Sequence, residues 1–284
     1  MPELPEVEVL VRHLAPLLHD RTIRAVHVRR AKVLAPTSAR SFAQVLRGAR
    51  FGSLARRGKY LVFELRKPGL REPLPLVGHL GMTGRMYLLP ARTPLPTHTA
   101  VVLHLGCENF VFEDTRYFGR LTLDTSALDR LGPEPLGERF TMARFSRALG
   151  RSRQAIKVKL LDQSLLAGVG NIYASEALYR ARITPTLPAL KLTPRQVKGL
   201  WHAVRAVLRE AIACGSTVPL YYAGRGLRDG LFYFGRAPGA PDFYGERLRV
   251  YGRAGRPCRR CGTLIRRRVQ AARSTFYCPR CQRG

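Results

Sequence analysis

Four cysteines near the C-terminal end of the chain have the spacing of a metal site. They form the pattern C-x2-C-x16-C-x2-C, in which two tight turns each deliver two thiolates to the corners of a tetrahedron. Because four protein ligands close the coordination sphere and leave no position for water or substrate, the pattern predicts one structural Zn²⁺. The predicted ligands are Cys258, Cys261, Cys278 and Cys281.

The chain is strongly basic, with 49 Lys plus Arg against 19 Asp plus Glu in 284 residues and a formal net charge of +30. This excess predicts a polyanionic partner, and nucleic acid is the first candidate because cations that neutralise phosphates release condensed counterions. A membrane surface is the weaker candidate, since we find no long apolar run and no basic amphipathic anchor. Four arginines between the cysteine pairs either contact a phosphate backbone or form a solvated face: Arg266, Arg267, Arg268 and Arg273.

Pro2 could act as a nucleophile. The initiator Met is usually removed before a small residue, which would leave proline with a free secondary amine. An α-amine has a reference pKa of about 7.7 to 8.0, so much of it is unprotonated near neutral pH. Glu3 is adjacent and could transfer protons, and Glu6 lies where a helix start favours a carboxylate. A structural role for Glu6, in orienting the N-terminal segment, stays equally open.

The opening segment Pro2-Glu-Leu-Pro-Glu-Val-Glu8 resembles the start of the formamidopyrimidine-DNA glycosylase family. Two internal motifs, Leu80-Gly-Met-Thr-Gly84 and Asp114-Thr-Arg-Tyr-Phe-Gly119, also resemble the family pattern. So do Gly168-Val-Gly-Asn-Ile-Tyr-Ala-Ser-Glu176 and the terminal Arg273-Ser-Thr-Phe-Tyr-Cys-Pro-Arg-Cys281. The resemblance therefore covers the whole chain in order.

This resemblance implies a repair enzyme that excises oxidised purines, such as 8-oxoguanine and formamidopyrimidines, from damaged double-stranded DNA. Pro2 would attack the sugar C1′ and expel the base, and the resulting iminium would draw electrons for β,δ-elimination of both phosphates. The resemblance makes Glu3 the acid/base that helps open the sugar ring. It places Lys59 on a β-turn, where it would contact a phosphate beside the lesion and protonate the leaving base, and it adds Arg273 to the catalytic set.

Other residues are implied to bind the DNA. Turning a nucleotide out of the stack leaves a gap, and Met82, Arg116 and Phe118 match the family's gap-filling trio, with Arg116 facing the orphaned cytosine. A glycine-rich turn before a helix also exposes N–H groups that suit a phosphate, as at 168–171. The remaining implied contacts are His98, Lys157, Asn171 and Glu176.

These residues need a scaffold, and the chain predicts an α+β fold with two domains. The resemblance implies an N-terminal antiparallel β-sandwich with flanking helices and a C-terminal helix-two-turn-helix domain with a β-hairpin zinc finger. Short β-rich runs between 22 and 123 favour the sandwich, and helical spacing predicts helices at 5–19, 144–161, 171–181 and 193–213. The proposed boundaries are 1–131 for the catalytic domain, 132–139 for the linker, 140–250 for the helical domain and 251–284 for the zinc finger.

The first thirty residues carry several charges and no apolar central run, so we expect no signal peptide and a cytoplasmic protein. The resemblance implies a bacterial enzyme associated with the nucleoid, and a monomer is the simplest expectation. Between 217 and 250 the chain is longer than the family pattern, in a region that normally folds over the everted base. The preference among oxidised purines is therefore left open.

Two alternative functions remain. A non-enzymatic zinc-ribbon binder of DNA or RNA would explain the charge and the cysteines but would leave the N-terminal motif unused. An enzyme acting on oxidised pyrimidines, as endonuclease VIII does, is disfavoured by Leu4, Arg116 and Phe118, since the opening of that relative has Gly where Leu4 stands. Activity on paired substrates would separate these readings.

Overall fold

The computed structural model describes residues 2–215 and 247–283. They fall into two compact units with a break between Asp129 and Arg130. Of the described residues, the first unit holds Pro2 and Glu6–Asp129, and the second holds Glu3–Pro5, 130–215 and 247–283. The zinc-finger segment therefore belongs to the second unit. Most of the lengthened segment predicted between 217 and 250 lies outside the described residues.

The first unit contains two antiparallel four-stranded sheets. One sheet has the strand order β1-β6-β7-β5 and the other has the order β2-β3-β4-β8. This architecture confirms the predicted α+β class with a β-sandwich. The strands are β1 (Ala25–Val28), β2 (Arg50–Arg57), β3 (Tyr60–Arg66), β4 (Leu74–His79), β5 (Arg85–Pro90), β6 (Thr99–His104), β7 (Glu108–Glu113) and β8 (Arg120–Thr122).

Aromatic side chains fill the space between the two sheets. Phe51 of β2 and Phe63 of β3 belong to one sheet, and their rings lie 6.2 and 5.6 Å from the ring of Phe110 on β7 of the other. Along β3 buried and partly exposed residues alternate, as the two-residue period of a strand facing one core requires. Burial of this face, rather than strand propensity alone, aligns the strands.

Helices accompany the sandwich. Helix α1 (Leu4–Leu18) is close to the predicted bounds and buries an apolar stripe on one face. Helix α2 (Ala39–Leu46) lies where we predicted only β-rich runs. It forms because Ser38 caps its first turn, accepting the Ser41 N–H at 3.1 Å, and because Phe42 and Leu46 are buried one turn apart. A short helix α3 (Ser126–Asp129) ends the unit.

The second unit is helical at first. Helix α4 (Met142–Gly150) and helix α5 (Ile156–Leu160) are followed by α6 (Asn171–Ala181) and α7 (Pro194–Ala213). The last two match the predicted spans. Thr193 caps α7 and forms a capping box with Gln196, as its sequence position suggested.

The single helix predicted over 144–161 is wrong. The chain leaves the helical path between α4 and α5, where the carbonyls of Ser152 and Gln154 accept the N–H groups of Leu190 and Ala189 at 2.9 and 2.8 Å. Because these backbone groups find partners in another segment, the extended conformation replaces a turn of helix.

The cysteine-rich segment carries a two-stranded hairpin of β9 (Arg266–Gln270) and β10 (Arg273–Tyr277). Its turn consists of Ala271 and Ala272, which both have positive φ, at 46° and 58°. Such a turn matches the twist of the strands but strains residues that carry a Cβ. Within 2–215 and 247–283, no helix has the length and apolarity that crossing a bilayer demands.

Candidate active site and DNA-contact surfaces

In the second unit, the carboxylate of Glu3 lies on the N-terminal end of α6. It accepts the backbone N–H groups of Gly170 at 2.8 Å, Ile172 at 2.9 Å and Tyr173 at 3.4 Å. A helix start carries unpaired N–H groups and a partial positive charge, so it stabilises a carboxylate. We expected these groups to face a DNA phosphate, and the structure corrects this, because the anion that they bind is Glu3.

Two glycines allow the chain to approach this closely. A Cβ on Gly170 would collide with the carboxyl carbon of Glu3. Gly168 has φ +86°, and a Cβ there would lie 2.7 Å from the Cβ of Leu4, whose N–H donates to the Gly168 carbonyl at 3.0 Å. The glycine-rich motif therefore receives the start of the chain, and it holds Glu3 directly after the predicted nucleophile Pro2.

Lys157 on α5 is fully buried, and its Nζ makes no hydrogen bond among the described residues. Burial lowers the pKa of Lys157 to about 8; the Arg273 guanidinium adds to this lowering, and Glu3 opposes it. The charges of two other predicted site residues, Arg273 and Glu3, therefore act on the amine of Lys157. An amine with this pKa can exchange a proton near neutral pH.

Asn171, the first residue of α6, contacts the zinc-finger hairpin. Its Nδ2 donates to the carbonyl of Ser274 at 2.8 Å, while its Oδ1 is buried and has no hydrogen bond among the described residues. Arg273, the preceding residue on β10, is exposed. The helix start and the hairpin therefore present Asn171 and Arg273 side by side.

Glu176 faces the protein interior. Only 3% of it is exposed, and its carboxylate accepts the N–H groups of Arg249, Val250 and Tyr251 at 2.8 to 2.9 Å. Burial raises the pKa of Glu176, and the three backbone donors oppose that rise. A direct DNA contact, which we predicted, finds no support here, because this carboxylate already holds residues 249–251.

Pro2 and Glu6 belong to the first unit, and both are buried. Glu6 is 3% exposed in the first turn of α1. This position suits both proton transfer and a structural role in orienting the N-terminal segment. Glu8, two residues on, pairs with Arg56 and Arg12 at 2.8 Å each. Its carboxylate is therefore a structural anchor for the helix.

Lys59 lies in the two-residue turn between β2 and β3, where Gly58 has φ +59°. It is 8% exposed and close to His79 of β4. Partial burial, reinforced by the charges of Lys59 and Arg120, lowers the pKa of His79 to about 4. The His79 ring lies 4.7 Å from that of Tyr60, and its Nδ1 accepts the Gly81 N–H at 3.1 Å.

The predicted gap-filling residues form one exposed cluster in the first unit. Met82 is 42% and Phe118 50% exposed, which is unusual for large apolar side chains. The Arg116 guanidinium lies 4.8 Å from the Phe118 ring centroid and 3.5 Å from the Met82 sulfur. The structure therefore brings together a cation between two apolar groups, which suits insertion between bases.

Asp114 organises the two loops that carry this cluster. One oxygen accepts the Thr83 hydroxyl at 2.6 Å and the Arg116 N–H at 3.1 Å, and the other accepts the Gly119 N–H at 2.8 Å. The carboxylate is fully buried, so these bonds are protected from water. His98 is exposed nearby, and its carbonyl accepts the Asp114 N–H at 3.0 Å.

The four cysteines meet as predicted. Their sulfur atoms all lie within 4.8 Å of one another, with three pairs at 3.4, 3.5 and 4.0 Å. Tetrahedral zinc with Zn–S bonds of about 2.3 Å separates sulfurs by about 3.8 Å, so the group fits one structural Zn²⁺. When bound, the metal would clamp the two cysteine turns together, and it would take no part in the chemistry.

Three family models together match most of the chain. Residues 1–121 match the formamidopyrimidine-DNA glycosylase N-terminal domain, and 131–220 match the formamidopyrimidine-DNA glycosylase H2TH domain. Residues 255–284 match the zinc finger found in FPG and IleRS. The formamidopyrimidine-DNA glycosylase of Desulfitobacterium hafniense is 42% identical over 99% of this chain and 100% of that protein. This chain belongs to the formamidopyrimidine-DNA glycosylase family.

Solved structures of the glycosylase family agree. The Lactococcus lactis FPG mutant G226P, in complex with a Fapy-dG containing DNA, has a TM-score of 0.87 and 30% identity, with full coverage of both chains. MutM in complex with carbocyclic 8-oxo-G containing DNA has a TM-score of 0.85 and 30% identity, again with full coverage of both chains. The predicted family and fold are therefore confirmed.

Two residues of this glycosylase were missed in the sequence. His79 directly precedes one family motif and Asp114 begins another, so their position was a signal, but a histidine or aspartate at such a place is ordinarily structural. Only the structure showed that His79 adjoins Lys59 and that Asp114 holds the loops of Met82 and Arg116.

Proposed function

We propose that this chain excises oxidised purines, including 8-oxoguanine and formamidopyrimidines, from damaged duplex DNA and then cleaves the strand at the resulting abasic site. Family membership and the DNA complexes of relatives support the substrate class. The observation that carries the chemistry is Glu3, held by three backbone N–H groups next to Pro2. These bonds fix the carboxylate of the residue that directly follows the proposed nucleophile in the chain.

Once Met1 is removed, the Pro2 amine attacks C1′, and the C1′–N bond to the damaged base breaks as the base takes up a proton. The attacking nitrogen then loses its proton, and its lone pair breaks the C1′–O4′ bond as O4′ takes up a proton, so the sugar ring opens to an iminium. The iminium withdraws electrons from C2′ and so allows that carbon to lose a proton and the 3′ phosphate to leave. A second elimination at the 5′ side leaves a one-nucleotide gap with phosphates at both ends. One intermediate therefore serves both activities.

Each catalytic residue has its own part in this proposal. Glu3 exchanges the proton that opens the sugar ring, and Lys59 contacts a phosphate beside the lesion and protonates the leaving base. The DNA backbone beside the lesion is also bound by Asn171 and by Arg273, which is exposed next to the turn of the hairpin. Lys157, buried near Glu3 and Arg273, sets the charge around that carboxylate.

DNA opening is assigned to the cluster in the first unit. Turning the nucleotide out costs a few kcal/mol, which Met82 and Phe118 offset by occupying the vacated stack. Arg116 carries hydrogen-bond donors toward the orphaned cytosine, and His98 adds a further DNA contact. Because the proposed substrate is chromosomal DNA, we place the enzyme in the bacterial cytoplasm, at the nucleoid.

Borohydride trapping on an 8-oxoguanine:cytosine duplex tests the proposal. Processed protein with a free Pro2 amine should give a covalent adduct, and protein with retained residues before Pro2 should give none. Both forms should bind the duplex, since the block leaves the DNA-contact surfaces unchanged. Absence of an adduct from processed, zinc-loaded protein would instead favour a DNA-binding protein without catalysis.

A substrate pair tests the specificity. Duplexes with 8-oxoguanine and with thymine glycol, each in the same sequence, should be processed at rates that favour the purine by at least an order of magnitude. Faster removal of thymine glycol would assign the chain to the pyrimidine-specific alternative.

A further inference from the structure

The hydroxyl of Tyr179 contacts one of the zinc ligands. Tyr179 lies near the end of α6 and is 4% exposed, and its Oη is 3.3 Å from the Sγ of Cys258, which is 3% exposed. A thiolate bound to zinc has no proton to give, so in the metal-loaded protein the tyrosine O–H donates and the sulfur accepts. This is a hydrogen bond from a helix outside the cysteine turns to a metal ligand.

Arg260 lies over the ring of Tyr179. Its guanidinium carbon is 5.1 Å from the centroid of the Tyr179 ring, within the range of a cation–π contact. The backbone N–H of Arg260 is also 3.5 Å from the Cys258 sulfur. A cation over the ring draws electron density from the phenol and strengthens its O–H as a donor. The turn from Cys258 to Cys261 therefore supplies both a ligand and the group that polarises the donor to that ligand.

We propose that Tyr179 is a positioning residue for the structural zinc, whose O–H stabilises the Cys258 thiolate and slows loss of the metal. Four thiolates around one Zn²⁺ leave a net charge of −2 in a largely buried site, and hydrogen bonds to the sulfurs disperse that charge. The same helix begins at Asn171, which bonds to the Ser274 carbonyl of the hairpin. Helix α6 thus contacts the zinc finger at both ends.

Tyr179→Phe in the full-length, zinc-loaded protein is the direct test, because it keeps the ring and removes only the hydroxyl. We expect zinc affinity, measured by chelator competition, to fall about tenfold, the lower end of the effect of removing outer partners of a metal ligand. Transfer of zinc to excess chelator should be correspondingly faster. In the cobalt-substituted protein, the thiolate-to-metal charge-transfer band should shift, since the donor to Cys258 is lost.

Tyr251→Phe is the matched control. Its ring lies 5.1 Å from that of Phe276 beside the same hairpin, and its hydroxyl makes no bond to a cysteine in the described part of the chain. Zinc transfer and the cobalt spectrum should stay at wild-type values in this variant.

A second variant, Arg260→Met, keeps the test decisive if Tyr179→Phe does not fold. It removes the cation while leaving the hydroxyl, so zinc transfer should accelerate, but less than in Tyr179→Phe. Wild-type transfer rates and an unshifted cobalt spectrum in the folded Tyr179→Phe protein would overturn the proposal. If only Arg260→Met folds, a wild-type rate of zinc transfer in that variant would overturn the proposal.

Discussion

The carboxylate of Glu3 accepts the backbone N–H of Gly170 at 2.8 Å, although the two residues are 167 positions apart in the chain. This contact fixes the residue after Pro2 on the start of a helix in the second unit. The position of Glu3, which follows the predicted nucleophile Pro2, therefore depends on the absence of a Cβ at Gly170.

Gly170→Ala should lower the single-turnover rate of 8-oxoguanine excision by about 100-fold. The new Cβ would push the Glu3 carboxylate off its backbone donors, and a displacement of a catalytic group by about 1 Å has effects of that size. The control is Gly199→Ala in α7, where the Cβ meets no atom within 4 Å. That variant should keep the wild-type rate and gain helix stability. A wild-type excision rate in Gly170→Ala would show that the Glu3 position is not critical.

Asp114→Asn should impair base eversion more than strand cleavage. An amide cannot accept the Thr83, Arg116 and Gly119 donors together, so the two loops of the exposed cluster lose their common anchor. We expect at least a tenfold loss of excision from an 8-oxoguanine:cytosine duplex and a much smaller loss on a single-stranded abasic substrate, which needs no gap filling. Asp129→Asn, at an exposed position, is the control; equal losses on both substrates would contradict this role.

Lys157→Met should stabilise the protein at pH 7 while reducing activity. The folded-state pKa of Lys157 is lowered to about 8 from an ordinary value of 10.5, so folding disfavours its charged form. The resulting destabilisation is complete below pH 8 and fades as the pH rises to 10.5, where the unfolded chain also loses the proton. The Tm gain of the variant should therefore be largest at pH 7 and small at pH 10.

Lys198→Met, at an exposed position of α7, should show a Tm difference that does not change between these pH values. A pH-independent gain in Lys157→Met would mean that the buried amine is not titrating in this range.

Ala272→Gly should stabilise the zinc-finger hairpin. Ala272 has φ +58°, a conformation that costs an L-residue with a Cβ about 1–2 kcal/mol, and glycine avoids most of this at some cost in unfolded-state entropy. We expect a net gain of about 0.5–1 kcal/mol in urea unfolding of the zinc-loaded protein. Ala143→Gly in α4 should have the opposite sign, with a loss of up to about 1 kcal/mol. Equal losses in both variants would refute strain at the turn.

Local patterns determined much of this protein. The cysteine spacing defined the metal site, because four ligands in two short turns need only local geometry. Helices α6 and α7 followed from periodicity and capping, and the sandwich of the first unit followed from short β-rich runs. The family motifs led us to predict Pro2 as the nucleophile, because a motif records chemistry that composition does not reveal.

Tertiary structure decided the contacts between distant segments. The sequence could not show that the α6 start binds Glu3, that Glu176 holds the backbone of 249–251, or that the predicted helix over 144–161 is interrupted by pairing with another segment. In each case several hydrogen-bond partners could satisfy the backbone or carboxylate group. The partner that is used is the one buried with it, because a polar group that is buried without a hydrogen bond raises the free energy of the folded state. Periodicity records which face is apolar, but not which distant group will satisfy a buried donor or acceptor.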